Sequence, residues 1–348
     1  MHTLRPKPDC RDAIATEAVV NCEFCRGSSQ PIYQGLTDRL SDIPGKWNFL
    51  KCGCGLVWLS PRPVPTDIWK AYQAYFTHEE KQVWYRVMLD KARRGLYASA
   101  VSGYGDLADG PTWRLIGAAM SLVPALKERA LMGTMHLDGK RRGKLLDVGC
   151  GNGTFLARMR EAGWDVLGIE PDPLAVKQAR EQNGIEVIAG SLESANLAES
   201  SFDAVTLSHV IEHVYDPVAL LTSCRRLLVP GGLVTILTPN VESFGHTTFA
   251  SSWFALDPPR HLFLFSSKTL RTCCERSGLQ VRMLRTSSRM GYLISYASET
   301  IREQGKFLHS AVTRASRIRA IAFEAREESV LRQSPLAGEE LVLVASAV

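Results

Sequence analysis

Leu145-Leu-Asp-Val-Gly-Cys-Gly-Asn-Gly-Thr154 decides the reading of this 348-residue chain. An apolar run ends in a turn carrying Gly149, Gly151 and Gly153, and helix-forming residues follow at once. The order predicts a buried strand over 144–150, a tight loop, and a helix over 154–162. Glycine is needed where the backbone bends sharply and a ligand must approach without a Cβ in the way. The helix start then offers backbone N–H groups with no intrahelical partner. The spacing is G-x-G-x-G, not the G-x-G-x-x-G of dinucleotide-binding loops.

Outward from that loop, short apolar runs alternate with amphipathic helices, the pattern of βαβ units around a parallel sheet. Further strands are predicted over 165–170, 186–189, 202–208, 233–237, 280–284 and 340–345, making seven with the first. Helices are predicted over 173–182, 217–228 and 267–277, the second stopped by Pro230-Gly231-Gly232 and the third by Gly278. Glu170 closes the second strand, where a carboxylate can accept both hydroxyls of a ribose. Gly190-Ser191-Leu192 follows the third strand, and the fourth runs through Ser208 and His209 into Val-Ile-Glu-His213.

Together, residues 144 to about 240 resemble class I S-adenosyl-L-methionine (SAM) dependent methyltransferases. The resemblance implies an α/β fold with a Rossmann-like seven-stranded sheet, SAM as cofactor, and an enzyme. It implies that Asp147 and the Gly149–Gly151–Gly153 loop border the methionine part of SAM, Glu170 its ribose and Leu192 its adenine. Ser208 or His209 would lie under the sulfonium. The family usually carries Asp or Glu at the adenine amino contact, where Ser191 stands here.

Upstream, Cys22-Glu-Phe-Cys25 and Cys52-Gly-Cys54 give C-x-x-C, a 26-residue gap and C-x-C. Four thiolates from two short knuckles can close a tetrahedral zinc site with no position left open, hence structural zinc (Zn2+). Four unliganded thiols and a nucleic-acid zinc ribbon are the alternatives; few scattered basic residues argue against the ribbon. The stretch from Cys22 to Pro63 resembles the N-terminal zinc module of a methyltransferase group acting on sugars and secondary metabolites. The expected division is a zinc module over 13–65, a helical connector or cap over 66–142, and a methyltransferase domain over 143–348 with a helical insertion at about 292–335. In the connector, Trp69, Tyr72 and Phe76, then Trp84, Val87 and Met88, fall at helical spacing.

Methyl transfer to a hydroxyl gains from a general base, and histidine suits neutral pH. His261 is the first candidate, His213 the second and His209 the third; a hydrogen-bonded cleft histidine is the alternative for each. Pro259-Arg260-His261-Leu-Phe-Leu-Phe265-Ser266 resembles a P-x-H-x-x-x-F-S stretch of the same sugar and metabolite group. Its carbon-methylating members place a Glu-His pair there. Arg260 replaces that Glu, which favours oxygen as the acceptor and leaves open an Arg contact to an acceptor phosphate or carboxylate. Trp253, Phe254 and Tyr215 either line an acceptor pocket or fill core.

Composition bounds the rest. With 45% hydrophobic and 22% charged residues the chain reads as an ordinary folded protein. The longest apolar run, 115–126, is broken by Ser121 and Pro124 and falls short of the ~20 residues that span a bilayer. Nine cysteines without a secretory leader point to a reducing, cytoplasmic compartment, with Cys10, Cys150, Cys224, Cys273 and Cys274 filling space. A net charge of +5 is weak evidence for a nucleic-acid partner, and none is expected. Residues 302–319 hold five basic residues and one acidic, a solvated face first, a cleft cap, dimer contact or peripheral membrane contact otherwise. The function expected is methyl transfer from SAM to a hydroxyl of a sugar, nucleotide sugar, glycan or related metabolite. Carbon methylation, a quinone, phenol or lipid acceptor, and a non-catalytic scaffold are the alternatives.

Overall fold

The computed structural model describes residues 14–72, 86–308 and 313–347. Phe76 and Trp84 of the expected connector pattern, and Cys10, lie outside the described residues, as does the side chain of Val87. The N-terminal part is all strand: β1 (Thr16–Glu17), β2 (Ser29–Leu36), β3 (Trp47–Cys52), β4 (Val57–Ser60) and β5 (Arg62–Pro63). Helices α1 (Arg86–Ala100), α2 (Pro111–Ser121) and α3 (Pro124–Gly133) follow, the last two with Pro at the first turn, where its missing N–H costs nothing.

The alternating region then runs β6 (Lys144–Val148), α4 (Thr154–Glu161), β7 (Asp165–Glu170), α5 (Pro173–Asn183), β8 (Val187–Ala189), β9 (Phe202–Ser208), α6 (Pro217–Leu227) and β10 (Leu228–Pro239). After α7 (Phe244–Phe249) and β11 (Phe263–Leu264) come α8 (Ser267–Arg276), β12 (Leu279–Ser287), α9 (Gly291–Gln304), α10 (Arg314–Gln333) and β13 (Glu340–Ala347). Seven strands form one mixed sheet in the order β12-β13-β10-β9-β6-β7-β8, as a class I Rossmann-like fold requires. β8, β7, β6, β9 and β10 are parallel, and β13 pairs antiparallel with both β10 and β12. The chain order reverses between β6 and β9, so the crevice where ligands bind in such sheets opens at their carboxyl ends.

One local expectation is corrected. Pro230-Gly231-Gly232 does not stop α6, which ends at Leu227; these residues lie inside β10, at a register shift between Leu228 and Leu233 with Gly231 at φ 75°. The cysteine-bearing strands do not close their own sheet. Their four-stranded sheet has the order β11-β4-β3-β2, so one of its two edge strands is Phe263–Leu264, just beyond His261. One buried cluster therefore runs from Trp47, Phe49 and Leu59 through Phe263 and Phe265 to Leu343. A second joins α1 and Tyr104 to Leu145, Leu156 and Trp164, with Trp164 Nε1 donating to Tyr104 Oη at 2.8 Å. Cys150, Cys224, Cys273 and Cys274 are buried.

Candidate active site

The glycine loop leaves β6 with Gly149, Gly151 and Gly153 at φ 74°, 54° and 75°, conformations that L side chains rarely adopt. Each glycine answers a different demand. A Cβ on Gly149 would sit 2.6 Å from Val210 Cγ2, and one on Gly153 would press on Ala179 of α5. A Cβ on Gly151 would meet nothing within 4 Å, so this residue faces open space. Glu170, the last residue of β7, holds the loop: Oε2 accepts the Gly151 N–H at 2.8 Å and Oε1 the Asp172 N–H at 2.9 Å. Burial pushes its carboxyl upward against those two N–H groups.

Asp147 is buried in β6 and accepts a 2.6 Å hydrogen bond from Thr206 Oγ1. Burial, with Glu170 adding repulsion, pushes its carboxyl up to about 7. Among the described residues no Lys or Arg forms an ion pair with Asp147 or Glu170. Leu192 is buried beyond β8, and Ser208 ends β9. Asp147, the glycine loop, Glu170, Leu192 and Ser208 are thus collected at or near the carboxyl edge of four adjacent parallel strands. An acid-lined cradle with open space over Gly151 fits SAM, whose sulfonium and ammonium are cationic.

The chain turns sharply after Ser208, with His209 at φ 55°. His209 does not stand free: Nε2 donates to Glu340 Oε1 at 2.9 Å, and Nδ1 lies 3.3 Å from Glu212 Oε1. Burial opposes an imidazolium here, but the two carboxylates outweigh it and push the ring up to about 10. Glu212 and Glu340 are in turn pulled down to about 2 despite burial, by His209 first. Glu340 also pairs with Arg289 at 2.8 Å.

One donor group of Glu212, His213 and His261 each converges to within 4.8 Å of the others. Tyr72 Oη lies 2.9 Å and the Arg260 carbonyl 3.0 Å from His213 Nδ1. His261 is buried, and its Nδ1 donates to the Ala255 carbonyl at 2.7 Å, which leaves Nε2 as the acceptor nitrogen. The two rings meet edge to face, centroids 4.6 Å apart. Burial, and His261 beside it, push His213 down to about 4, so it stays neutral at pH 7. Thr238 Oγ1 donates to Glu212 Oε2 at 2.9 Å. Such a set can accept a proton, and two imidazoles with a carboxylate can also hold a divalent cation. Because Val210 packs on Gly149, the turn carrying Glu212 and His213 rests on the glycine loop.

Several expected contacts are spent elsewhere. Arg260 is fully buried: Nε and Nη2 bind Asp257, Nη2 reaches Asp38 Oδ1 at 2.5 Å, and Nη1 donates to the Ala71 carbonyl at 3.1 Å. It ties the N-terminal strands to the His261 loop and is not presented to an acceptor. Trp253 is fully buried with Nε1 on Glu339, and Tyr215 donates to the Pro63 carbonyl. Within 302–319, Arg302 covers Phe249, Lys306 pairs with Asp42 and Arg319 with Glu299. Tyr72 and Glu340 were not foreseen, since each reaches the site from a distant stretch of chain, and neither was Thr206, two residues before Ser208. Glu212 had a local signal, its place beside His213.

Cys22, Cys25, Cys52 and Cys54 bring their sulfurs within 4.8 Å of one another, Cys22 to Cys54 at 3.5 Å and Cys25 to Cys52 at 3.4 Å. Tetrahedral zinc with bonds of ~2.3 Å sets sulfurs about 3.8 Å apart, so the cluster is of the size the metal takes. A Cβ on Gly27 would crowd the Cys25 and Cys52 sulfurs at 3.2 and 3.5 Å. The four thiols fit a structural metal.

Residues 122–284 match a family model described as a methyltransferase domain. A ubiquinone biosynthesis O-methyltransferase of Cereibacter sphaeroides (strain ATCC 17025) is 37% identical over 133 residues, 36% of this chain and 53% of that protein. Its counterpart in Pseudomonas fluorescens (strain SBW25) is 38% identical over 112 residues, 30% and 47% of the two chains. The chain spans about half the length of these relatives. A SAM-dependent methyltransferase structure from Mesorhizobium loti aligns at 17% identity over 58% of this chain and 90% of that one, with a TM-score of 0.39. With the glycine cradle and the seven-stranded sheet, the family match identifies a class I SAM-dependent methyltransferase domain in this chain.

Proposed function

We propose that this protein methylates an oxygen of a phenol- or quinol-type acceptor, with SAM as donor and His261 as general base. The observation that carries the base is the His261 ring, oriented by Ala255 so that Nε2 is the acceptor nitrogen, in a ring grouped with Glu212 and His213. When bound, SAM supplies an electrophilic methyl group on its sulfonium. Asp147, Gly149, Gly151, Gly153, Glu170, Leu192 and Ser208 are the residues that would hold it. His261 Nε2 takes the hydroxyl proton, with the ionised Glu212 grouped beside the ring. His213, held by Tyr72, packs against the His261 ring and limits its rotation. His209, paired with two carboxylates, is a positioning residue.

The oxygen acceptor is supported by the relatives, which are named as O-methyltransferases of ubiquinone biosynthesis. A sugar or glycan hydroxyl is the other expectation, and of the three aromatics that suited it Trp253 is core, Tyr215 is tied to Pro63 and only Phe254, against Phe307, is half-buried. Structural zinc on Cys22, Cys25, Cys52 and Cys54, and the division at 13–65, 66–142 and 143–348, belong to the same proposal. Among the described residues no helix is long and apolar enough to cross a membrane. The test is His261→Ala assayed over catechols, quinols and nucleotide sugars by mass spectrometry. Turnover should fall about 10²–10⁴-fold with SAM affinity unchanged; unchanged turnover would reject the base, and products only from sugars would reject the acceptor class.

A further inference from the structure

We propose that helices α1 and α2 dock this protein onto the surface of an anionic lipid bilayer. The apolar run 115–126, too short to span a membrane, is not buried by the fold. Leu115 is 72% and Leu122 83% exposed, and Ile116 and Val123 are exposed beside them. The inner face of α2 is already used, since a Cβ on Gly117 would lie 1.9 Å from the Gly95 carbonyl oxygen of α1. Ser99 near the end of α1 donates to the Arg114 carbonyl near the start of α2, so the helices run antiparallel. That brings the start of α1, where Met88 and Leu89 are exposed, toward Leu122 and Val123. Exposed apolar side chains gathered on neighbouring helices in this way mark an interaction site.

Charge selects the occupant. From Gly110 to Lys127 there is no Asp or Glu, while Arg114 and Lys127 are exposed. The next acid, Glu128, is bound to Arg285, and Arg129 is exposed. An open cavity of about 430 Å³ lined by Ala108, Gly110, Pro111, Arg114 and Leu115 lies at the start of α2, apolar but for one guanidinium. Apolar side chains flanked by cations suit acyl chains below and phosphate headgroups beside them. A second copy fits less well, because a two-fold contact uses the same patch on both copies and would bring cations toward cations with no acid between them.

The test is co-sedimentation of the full chain with vesicles, so no methyl acceptor enters the readout and failure of the proposed reaction cannot mimic failure here. Wild type should partition at least about tenfold more strongly onto vesicles of equal parts phosphatidylglycerol and phosphatidylcholine than onto phosphatidylcholine alone. Leu115→Glu with Leu122→Glu should abolish binding, and Leu122→Ser alone should weaken it, with melting temperature and SAM affinity unchanged because both side chains are exposed. Arg114→Gln with Lys127→Gln and Arg129→Gln should erase the preference for the anionic vesicles. No vesicle binding by wild type, equal binding by the Glu variant, or a dimer in sedimentation equilibrium that the Glu variant splits without any vesicle binding would each overturn the proposal.

Discussion

Replacing Arg260 with Met separates a structural tie from a substrate contact. Methionine keeps much of the aliphatic volume but leaves Asp38 and Asp257 without the guanidinium that both bind. Arg260 is fully buried, and Asp257 is held below the usual carboxylate range because Arg260 outweighs the effect of burial. Removing one partner of a buried pair costs about 3–5 kcal/mol, mostly from the charge left unpaired. With a urea dependence of about 3 kcal/mol per M, the unfolding midpoint should drop by roughly 1–1.7 M. The pH dependence follows in sign. Asp257 contributes stability above the usual carboxylate range in wild type and loses it on acidification, whereas in Arg260→Met acidification should stabilise. The assay is urea unfolding followed by circular dichroism, repeated for Arg260→Met with Asp257→Asn, which should recover part of the loss. Stability within about 0.5 kcal/mol of wild type, coupled to a raised KM for the acceptor, would refute the tie.

SAM affinity should weaken as pH falls, because a cationic ligand favours ionised Asp147 and burial holds that carboxyl near about 7. Calorimetry at pH 8 and pH 6 should differ by about tenfold, and Asp147→Asn should flatten the profile; a flat wild-type profile sinks the idea. Gly151→Val should cut SAM affinity with a stability cost of about 1–2 kcal/mol from its positive φ alone. Gly149→Val meets Val210 as well and should lower the melting temperature further, so equal stabilities for the two would contradict the packing. The purified protein should carry one zinc per chain, lost in Cys22→Ser, and chelation should lower its melting temperature. Equal zinc in both proteins would exclude the four-cysteine site.

The seven strands of the main sheet and helices α4, α5, α6 and α8 were legible because each announces itself within a few residues, whereas α7 and β11 were not. β7 and β9 fall where the alternation puts them, and the glycines mark the loop between β6 and α4. Glu170, Asp147 and the cysteine knuckles could be named for the same reason: their chemistry is written in local spacing. Pro230-Gly231-Gly232 misled because a helix stop and an irregular strand start use the same residues, and only pairing with β9 distinguishes them.

What the sequence by itself determined was therefore the local part: a Rossmann-like sheet, a cradle shaped for a cationic cofactor, two cysteine pairs and a short list of histidines. What only the tertiary structure decided was how those histidines are charged and held. His209 and His213 lie one helical turn apart in sequence, yet one is pushed up to about 10 and the other down to about 4. Glu340 reaches the first from 131 residues away and Tyr72 the second from 141. Arg260, which beside His261 read as a substrate contact, is taken by Asp38 from the far end of the chain. Protonation and availability depend on desolvation and on partners brought in by folding, and neither quantity is local in sequence.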